Sequence, residues 1–183
     1  DIDPNFTLGE RARKRQEIIS RLTNEGLMDL NRQYVLPIVS QKIAVISSVT
    51  AAGYGDFINQ LDQNPQHYKI HYQLFQAAMQ GKDAVPQIIQ AIKHIEDLLL
   101  EEKFDLLVIV RGGGAQTDLD CFDDYELAKA IANASLPVVT GIGHERDESI
   151  ADLVAHTKLK TPTAVASFIL SGFSEFEDNL HRN

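Results

Sequence analysis

The stretch LLVIVRGGG, residues 106–114, indicates the fold class more clearly than any other part of the chain. Its five consecutive apolar residues predict a strand buried inside the protein, and the glycines that follow mark its end. Glycine inside a helix or strand costs roughly 0.5–1 kcal/mol relative to alanine, so three in a row indicate a loop whose backbone must stay accessible. The stretch therefore predicts a buried strand that carries an arginine and an open backbone at its carboxyl end.

Strand-like and helix-like segments alternate on both sides of this strand. Strands that alternate with helices of ten or more residues form βαβ units with right-handed crossovers. We therefore expect an α/β fold, with a mostly parallel, Rossmann-like open sheet flanked by helices and a C-terminal helical extension. The expected strands are KIAVISS (42–48), YKIHYQLF (68–75), LLVIV (106–110) and PVVTGIG (137–143), and the expected helices between them cover about 51–61, 84–102 and the residues after the N-cap Asp123.

A strongly basic helix is expected before the first strand. Thr7 and Glu10 form a capping box at its start, and Gly26 marks its end. Six of the 17 basic residues lie between positions 11 and 32. Such a run is either an ordinary solvated helix face or a track for a polyanion.

The chain divides into one domain and the beginning of another element. We assign residues 1–163 to an α/β domain that starts with the basic helix at 8–25. Residues 164–183 have apolar positions at helical spacing and no clear cap, so they are expected to form the C-terminal helical extension.

Composition excludes several classes of protein. The chain has 183 residues, 44% of them apolar, which is ample for a core. Its net charge of −9 argues against binding nucleic acid through overall attraction. The single cysteine, Cys121, excludes an internal disulfide and fits a reducing cytoplasm, where we expect the protein to be located. No apolar stretch approaches the roughly 18 residues of a membrane span, so no membrane partner is expected.

Three segments with unusual sequence follow predicted strands: VTAAGYGD (49–56), RGGG (111–114) and GHERDESIAD (143–152). Ligands of open α/β sheets bind outside the carboxyl ends of the strands. Parallel strands bring all three segments to one edge of the sheet. The sequence therefore predicts that four chemically active residues meet in one crevice, namely Asp56, Arg111, His144 and Asp147.

The RGGG segment has two interpretations. It does not complete the dinucleotide fingerprint, because Thr117 stands where the last glycine is required. It is either a tight strand-to-loop turn or a phosphate site, in which the Arg111 guanidinium and exposed backbone N–H groups hold the anion. The arginine favours the phosphate site.

His144, Asp147 and Glu148 are spaced i, i+3 and i+4, so one helical turn would place them on the same face. They fit a metal site, a histidine–carboxylate pair for proton transfer, or a helix cap. No second histidine lies at metal spacing, since His156 is twelve residues away, so we favour proton transfer. The acidic run Asp118, Asp120, Asp123 and Asp124 does not match a calcium loop and predicts a solvated loop with a helix cap, and Cys121 is expected to be simply packed.

Several motifs recur together in one known family. In chain order, the first is ISSVTAAGYGD (46–56), and the second is VRGGG with Thr117, Asp118, Leu119 and Phe122. They are followed by LPVVTGIGHERDESIADLVA (136–155) and KTPT (160–163). With ERARKRQEIISRLTNEGLMD (10–29) and MQGKDAVPQIIQAI (79–92), they resemble the large subunit of bacterial exonuclease VII over essentially the whole chain. Ala115, Gly55 and Asp120 depart from the family's usual serine, arginine and tryptophan, so positions 55 and 115 lack groups that contact phosphate.

The resemblance implies a catalytic domain that hydrolyses single-stranded DNA from either end into oligonucleotides, with no divalent metal or other cofactor required. It implies that residues 1–163 are this catalytic domain and that residues 164–183 begin a C-terminal helical arm that recruits small subunits. It also implies an OB-fold before the catalytic domain and the possibility of a homo-oligomer. Phosphate and DNA contacts are predicted for Arg111, Gly112, Gly113, Gly114, Ser48, Thr50, Arg13 and Lys14.

In the resulting mechanism, His144 is the general acid or base, Asp147 orients it, and Asp56 positions water or substrate. Two other classes of function fit the same edge of the sheet. One is a module that binds phosphorylated ligands without catalysis. The other is a metal-dependent phosphoesterase that uses Asp118, Asp147 and Asp152.

Overall fold

The computed structural model describes residues 4–112, 116–143 and 148–182. A five-stranded sheet lies at its centre, all of its strands are parallel, and their order is β2-β1-β3-β4-β5. The predicted α/β fold with a parallel open sheet is thus confirmed. The strands are β1 (Lys42–Ser47), β2 (His71–Gln76), β3 (Leu106–Val110), β4 (Val138–Gly141) and β5 (Thr157–Leu159).

Six α-helices among the described residues flank the sheet, and two 3-10 helices lie at Asn31–Gln33 and Gln116–Asp123. None of the helices described is long and apolar enough to cross a membrane. The α-helices are α1 (Pro4–Asn24), α2 (Ala52–Asp62), α3 (Ala84–Leu98), α4 (Tyr125–Ala132), α5 (Ile150–Val154) and α6 (Pro162–Arg182).

The helices cover both faces of the sheet, which explains the continuous apolar run of β3. Leu107 and Ile109 pack into one core cluster with residues of α1, α3, α4 and α5. Leu106 and Val108 pack into the other cluster, with residues of α2 and α6. Each such side chain contributes about 1.5–3 kcal/mol when fully buried, so the alternation of β3 stabilises both layers.

The C-terminal helix begins inside the α/β domain. α6 runs without interruption from Pro162 to Arg182. Val165, Ile169 and Phe173 are buried against the sheet, whereas Phe176 is about half-exposed at 45%. The first half of α6 therefore belongs to the packed layer, and a domain boundary at position 163 stays a prediction.

The start of the first helix and the number of strands differ from what the sequence predicted. α1 begins at Pro4, so Thr7 lies inside the helix, and Glu10 pairs with Arg13 instead of forming a capping box. Proline is well tolerated in a first helical turn because its missing N–H would have no partner there. The fifth strand, β5, was not expected, because three residues are too few to show strand periodicity.

Candidate active site at the carboxyl edge of the sheet

Direct contacts join the carboxyl ends of the three central strands. The Ser47 hydroxyl at the end of β1 donates to the Val110 carbonyl at the end of β3, with an Oγ–O distance of 2.7 Å. The Arg111 backbone N–H donates to the carbonyl of Gly141 at the end of β4, at 3.0 Å. The segments that leave β1, β3 and β4 therefore start side by side, as the sequence predicted.

A three-way contact packs the segment after β3 between two helices. A Cβ atom on Gly53 of α2 would lie 2.6 Å from the Gly112 nitrogen and 2.7 Å from Cγ of Pro162, the first residue of α6. Real Cβ atoms essentially never approach other atoms so closely. A Cβ atom on Gly112 would likewise lie 2.7 Å from the Gly53 Cα, so both glycines are required for this packing. The sequence suggested a different reason for glycine at position 112, namely access of a ligand to the backbone.

Arg111 follows β3 directly and is buried, with 4% of its surface exposed. Its positive charge acts on the neighbouring Cys121 thiol. Burial raises the pKa of Cys121 to about 11, and the Arg111 charge opposes part of this rise. Cys121 is consequently a protonated, packed thiol at neutral pH, as the sequence indicated.

Ser48 and Thr50 lie between β1 and α2, at the same edge. Their hydroxyl oxygens are 2.9 Å apart. The Gln76 side chain, at the end of β2, accepts from the Val49 N–H at 2.9 Å and donates to the Ser48 Oγ at 3.3 Å. The loop is thus fixed by the neighbouring strand, and a role of the two hydroxyls in binding phosphate stays a prediction.

Asp56 lies on α2, one turn after Gly53. Its exposed carboxylate lines a groove of about 430 Å³ between α2 and α6. Thr163 lines the opposite side, one residue after the Pro162 that contacts Gly53. The structure therefore places Asp56 beside the three-way contact, on the face of the sheet that α2 and α6 share.

His144, Asp147, Gly113 and Gly114 lie outside the described residues. Gly143, just before His144, has a φ of +90°, a left-handed conformation that favours glycine. A Cβ atom there would lie 3.7 Å from the Arg111 carbonyl oxygen. The chain therefore passes Arg111 where it leaves β4 toward His144.

The segment that follows position 147 starts α5 through a capping box. The Ser149 hydroxyl accepts from the Asp152 N–H at 3.1 Å, and the Asp152 carboxylate accepts from the Ser149 N–H at 3.0 Å. α5 begins at Ile150, so Glu148 lies before this helix, and the predicted helical turn from His144 falls on residues 144–147, outside the described residues.

The Asp152 carboxylate is buried, with 4% of the residue exposed. Besides the capping bond, it accepts a hydrogen bond from the Thr140 hydroxyl of β4 at 2.7 Å. Asp152 therefore has a structural role, which weighs against its use as a ligand for a catalytic metal.

Asp123 and Asp124 of the acidic run after RGGG have structural roles, although the expected N-cap is off by one residue. Asp124, not Asp123, caps α4 by accepting from the Leu127 N–H at 2.9 Å. The Asp123 carboxylate instead accepts a hydrogen bond from the Ile150 N–H of α5, with an N–O distance of 2.8 Å. Within the described residues, no three His, Cys, Asp or Glu side chains cluster in a way that could hold a metal ion.

The basic helix α1 presents two different sets of cations. Arg13 is exposed and pairs with Glu10 and Glu17 of the same helix, at 2.7 Å each, and Lys14 is exposed. Arg11 and Arg15 point toward the edge of the sheet, where Arg11 pairs with Asp120 at 3.1 Å. The sequence predicted contacts for Arg13 and Lys14 and overlooked Arg11 and Arg15, although their i, i+4 spacing places them on one face of the helix.

Residues 27–183 match the sequence model of the family described as "Exonuclease VII, large subunit". The chain belongs to the exonuclease VII large-subunit family. This match covers most of the chain, including every strand of the sheet and the candidate active site.

Curated members of the exonuclease VII large-subunit family are similar over nearly the whole chain. "Exodeoxyribonuclease 7 large subunit" from Nostoc sp. is 41% identical over 175 residues, which is 96% of this chain. The protein of the same name from Deinococcus radiodurans is 36% identical over 170 residues, or 93% of this chain. The one from Pseudomonas syringae pv. tomato is 37% identical over 166 residues, or 89%. The matched region spans only 41%, 41% and 35% of these relatives, respectively.

Proposed function

We propose that this chain is the catalytic domain of an exodeoxyribonuclease that hydrolyses phosphodiester bonds of single-stranded DNA from either end, giving oligonucleotides. The observation that carries the proposal is the position of the buried Arg111 among the joined ends of β1, β3 and β4, in a member of this family. Open parallel sheets bind ligands at this edge, and arginine suits phosphate because its planar fork makes two contacts.

Hydrolysis of a phosphodiester requires attack by a water oxygen on phosphorus, cleavage of the bond to the leaving oxygen, and two proton transfers. The water gives up one proton and the leaving oxygen receives one. We assign the first or the second transfer to His144, whose charge changes near neutral pH. Asp147 orients the imidazole, and Asp56 positions the water or the substrate.

Negative charge on the phosphoryl group must be compensated in the transition state. Arg111 supplies a positive charge from a largely buried position, where it acts more strongly than in water. The backbone N–H groups of residues 112–114 are the other proposed donors. Ser48, Thr50, Arg13 and Lys14 extend the contacts along the strand, and we propose that none of these steps requires a divalent metal.

The net charge of −9 repels the DNA backbone, so this domain alone should bind DNA weakly. We propose that an OB-fold elsewhere in the full-length protein supplies most of the affinity, and that small subunits bind a helical arm that follows the domain. The isolated chain should then bind single-stranded DNA weakly. Nanomolar affinity at physiological salt would contradict this division of labour. We place the enzyme in the cytoplasm, in keeping with its single packed cysteine.

The decisive experiment measures turnover of labelled single-stranded DNA by the full-length protein, with excess EDTA and with Mg²⁺. Equal release of oligonucleotides under both conditions supports the proposed chemistry. Activity that is lost in EDTA and restored by metal would support a metal-dependent phosphoesterase. Binding without any turnover would show a phosphate-binding module.

A further inference from the structure

Arg15 of α1 contacts both connections that carry the candidate active site. Its Nη2 donates to the Glu148 carbonyl oxygen at 2.5 Å, and its Nε lies 4.0 Å from Oδ1 of Asp123. Glu148 belongs to the connection after β4, and Asp123 ends the 3-10 helix after β3. One side chain of the first helix thus links the two connections, although they are separate in the sequence.

The same two connections also bond directly to each other. Oδ1 of Asp123, the oxygen that faces Arg15, accepts the Ile150 N–H at the start of α5. Arg15 therefore contacts both connections next to this hydrogen bond, at Asp123 itself and at Glu148, which lies two residues before Ile150. Its side chain is 33% exposed, so the charge-assisted hydrogen bond to Glu148 and the longer ion pair with Asp123 are partly shielded from water.

Neighbouring contacts hold the remaining groups of the segment at 148–152. The Glu148 carboxylate forms an ion pair with Lys158 of β5, and Asp152 is held by Thr140 of β4. Arg11, one turn before Arg15, fixes the 3-10 helix through Asp120. Of these residues, only Arg15 has partners in both connections.

We propose that Arg15 is a positioning residue, which fixes Glu148, and so the end of the segment that carries His144 and Asp147, relative to the connection after Arg111. The inference rests on the proposed function for the identity of the reacting groups. It assigns Arg15 a structural task at the active site, which is neither the solvated helix face nor the polyanion track that the sequence indicated for the basic helix. Small displacements of catalytic groups cost much activity, up to about 100-fold for about 1 Å.

The test compares Arg15→Ala and Arg15→Lys in the full-length protein, with Arg21→Ala as a matched control. Arg21 lies on the same helix, forms an ion pair with Glu25 at 2.9 Å and stacks on the Tyr125 ring at the start of α4, but neither of these partners belongs to the connection after β4. Arg15→Ala should lower kcat by about 10- to 100-fold, the range seen when groups that orient catalytic ligands are lost. KM for single-stranded DNA should change less than threefold, and Arg15→Lys should restore kcat in part. Arg21→Ala should leave both constants unchanged.

Amide hydrogen exchange of residues 148–152 gives a readout that does not depend on activity. Exchange should become faster in Arg15→Ala than in Arg21→Ala at equal melting temperature. Unchanged exchange would overturn the anchoring, and faster exchange with normal kcat would overturn its link to catalysis. A rise in KM alone would show that Arg15 contacts DNA. If the wild type does not turn over single-stranded DNA, the proposed function fails whatever Arg15 does, and if His144→Ala retains normal turnover, only the role assigned to His144 fails.

Discussion

Gly53 and Gly112 lie against each other so closely that neither can carry a side chain. A methyl group on Gly112 would stand 2.7 Å from the Gly53 Cα. The start of α2 and the segment after β3 therefore have no room to move independently. Asp56 and Arg111, which lie on these two elements, are held in a fixed relation by two residues without side chains.

Replacing Gly53 by alanine should destabilise the protein, while the same change at Gly55 should not. Overpacking costs about 1–3 kcal/mol, which outweighs the roughly 0.5–1 kcal/mol that alanine contributes in a helix. A Cβ atom on Gly55 meets nothing within 4 Å, so Gly55→Ala should stabilise by that smaller amount. Urea unfolding of both variants checks the pair. Equal midpoints would contradict the contact.

Asp152→Ala should lower the free energy of unfolding by about 1–3 kcal/mol, because it removes the carboxylate that accepts from the Ser149 N–H in the capping box and leaves the buried Thr140 hydroxyl without its acceptor. Urea unfolding measures this change. The response of the remaining activity to EDTA and Mg²⁺ should stay that of the wild type. A metal dependence that changes in Asp152→Asn would instead make this carboxylate a ligand.

His144→Ala in the full-length protein should reduce kcat by about 10²–10⁴-fold with little change in DNA affinity, because general acid–base catalysis acts in the transition state. Asp147→Asn should resemble it, since the amide keeps the shape but not the charge that stabilises the imidazolium. Single-turnover rates and filter binding separate the two effects. If His144→Ala loses activity only through a lower melting temperature, the histidine is structural.

Arg111→Ala should weaken both DNA binding and turnover, because a phosphate-holding arginine acts in the ground state as well as in the transition state. Arg111→Lys should restore only part of each, since a lysine lacks the planar fork. The measurement is KM and kcat for all three proteins. Full function of Arg111→Lys would show that a single positive charge suffices.

Ionisation of the Cys121 thiol should lower the free energy of unfolding as the pH rises from about 9 to about 11. The folded pKa of its thiol, about 11, lies above the ordinary value of 9.0, so the folded state holds the proton more tightly. Below pH 9 this contribution is fully present, and it is lost as the pH rises through the folded value. Unfolding free energies of wild type and Cys121→Ala over this range test the sign. Reaction with iodoacetamide should be slow at pH 8, and fast alkylation there would contradict the burial of the thiol.

The parallel sheet could be predicted because its central strands are continuous apolar runs, whereas β5 has only three residues and carries Lys158. The edge where Arg111 lies followed from the strand directions alone. The exact helix cap did not, because Asp123 and Asp124 are equally good caps in sequence, and a contact of Asp123 with distant Ile150 decides between them. The partners of Arg15 are likewise more than 100 positions away, and no local pattern encodes them.

α6 is a continuous helix whose first residue lies beside the candidate active site. Its 21 residues extend roughly 31 Å at 1.5 Å per residue, from Pro162 in the contact with Gly53 to the exposed turns beyond Phe173. Because that contact is tightly packed, a sideways force on the exposed turns is transmitted to Gly53 at the other end of the helix and, through Gly53, to the backbone beside Arg111.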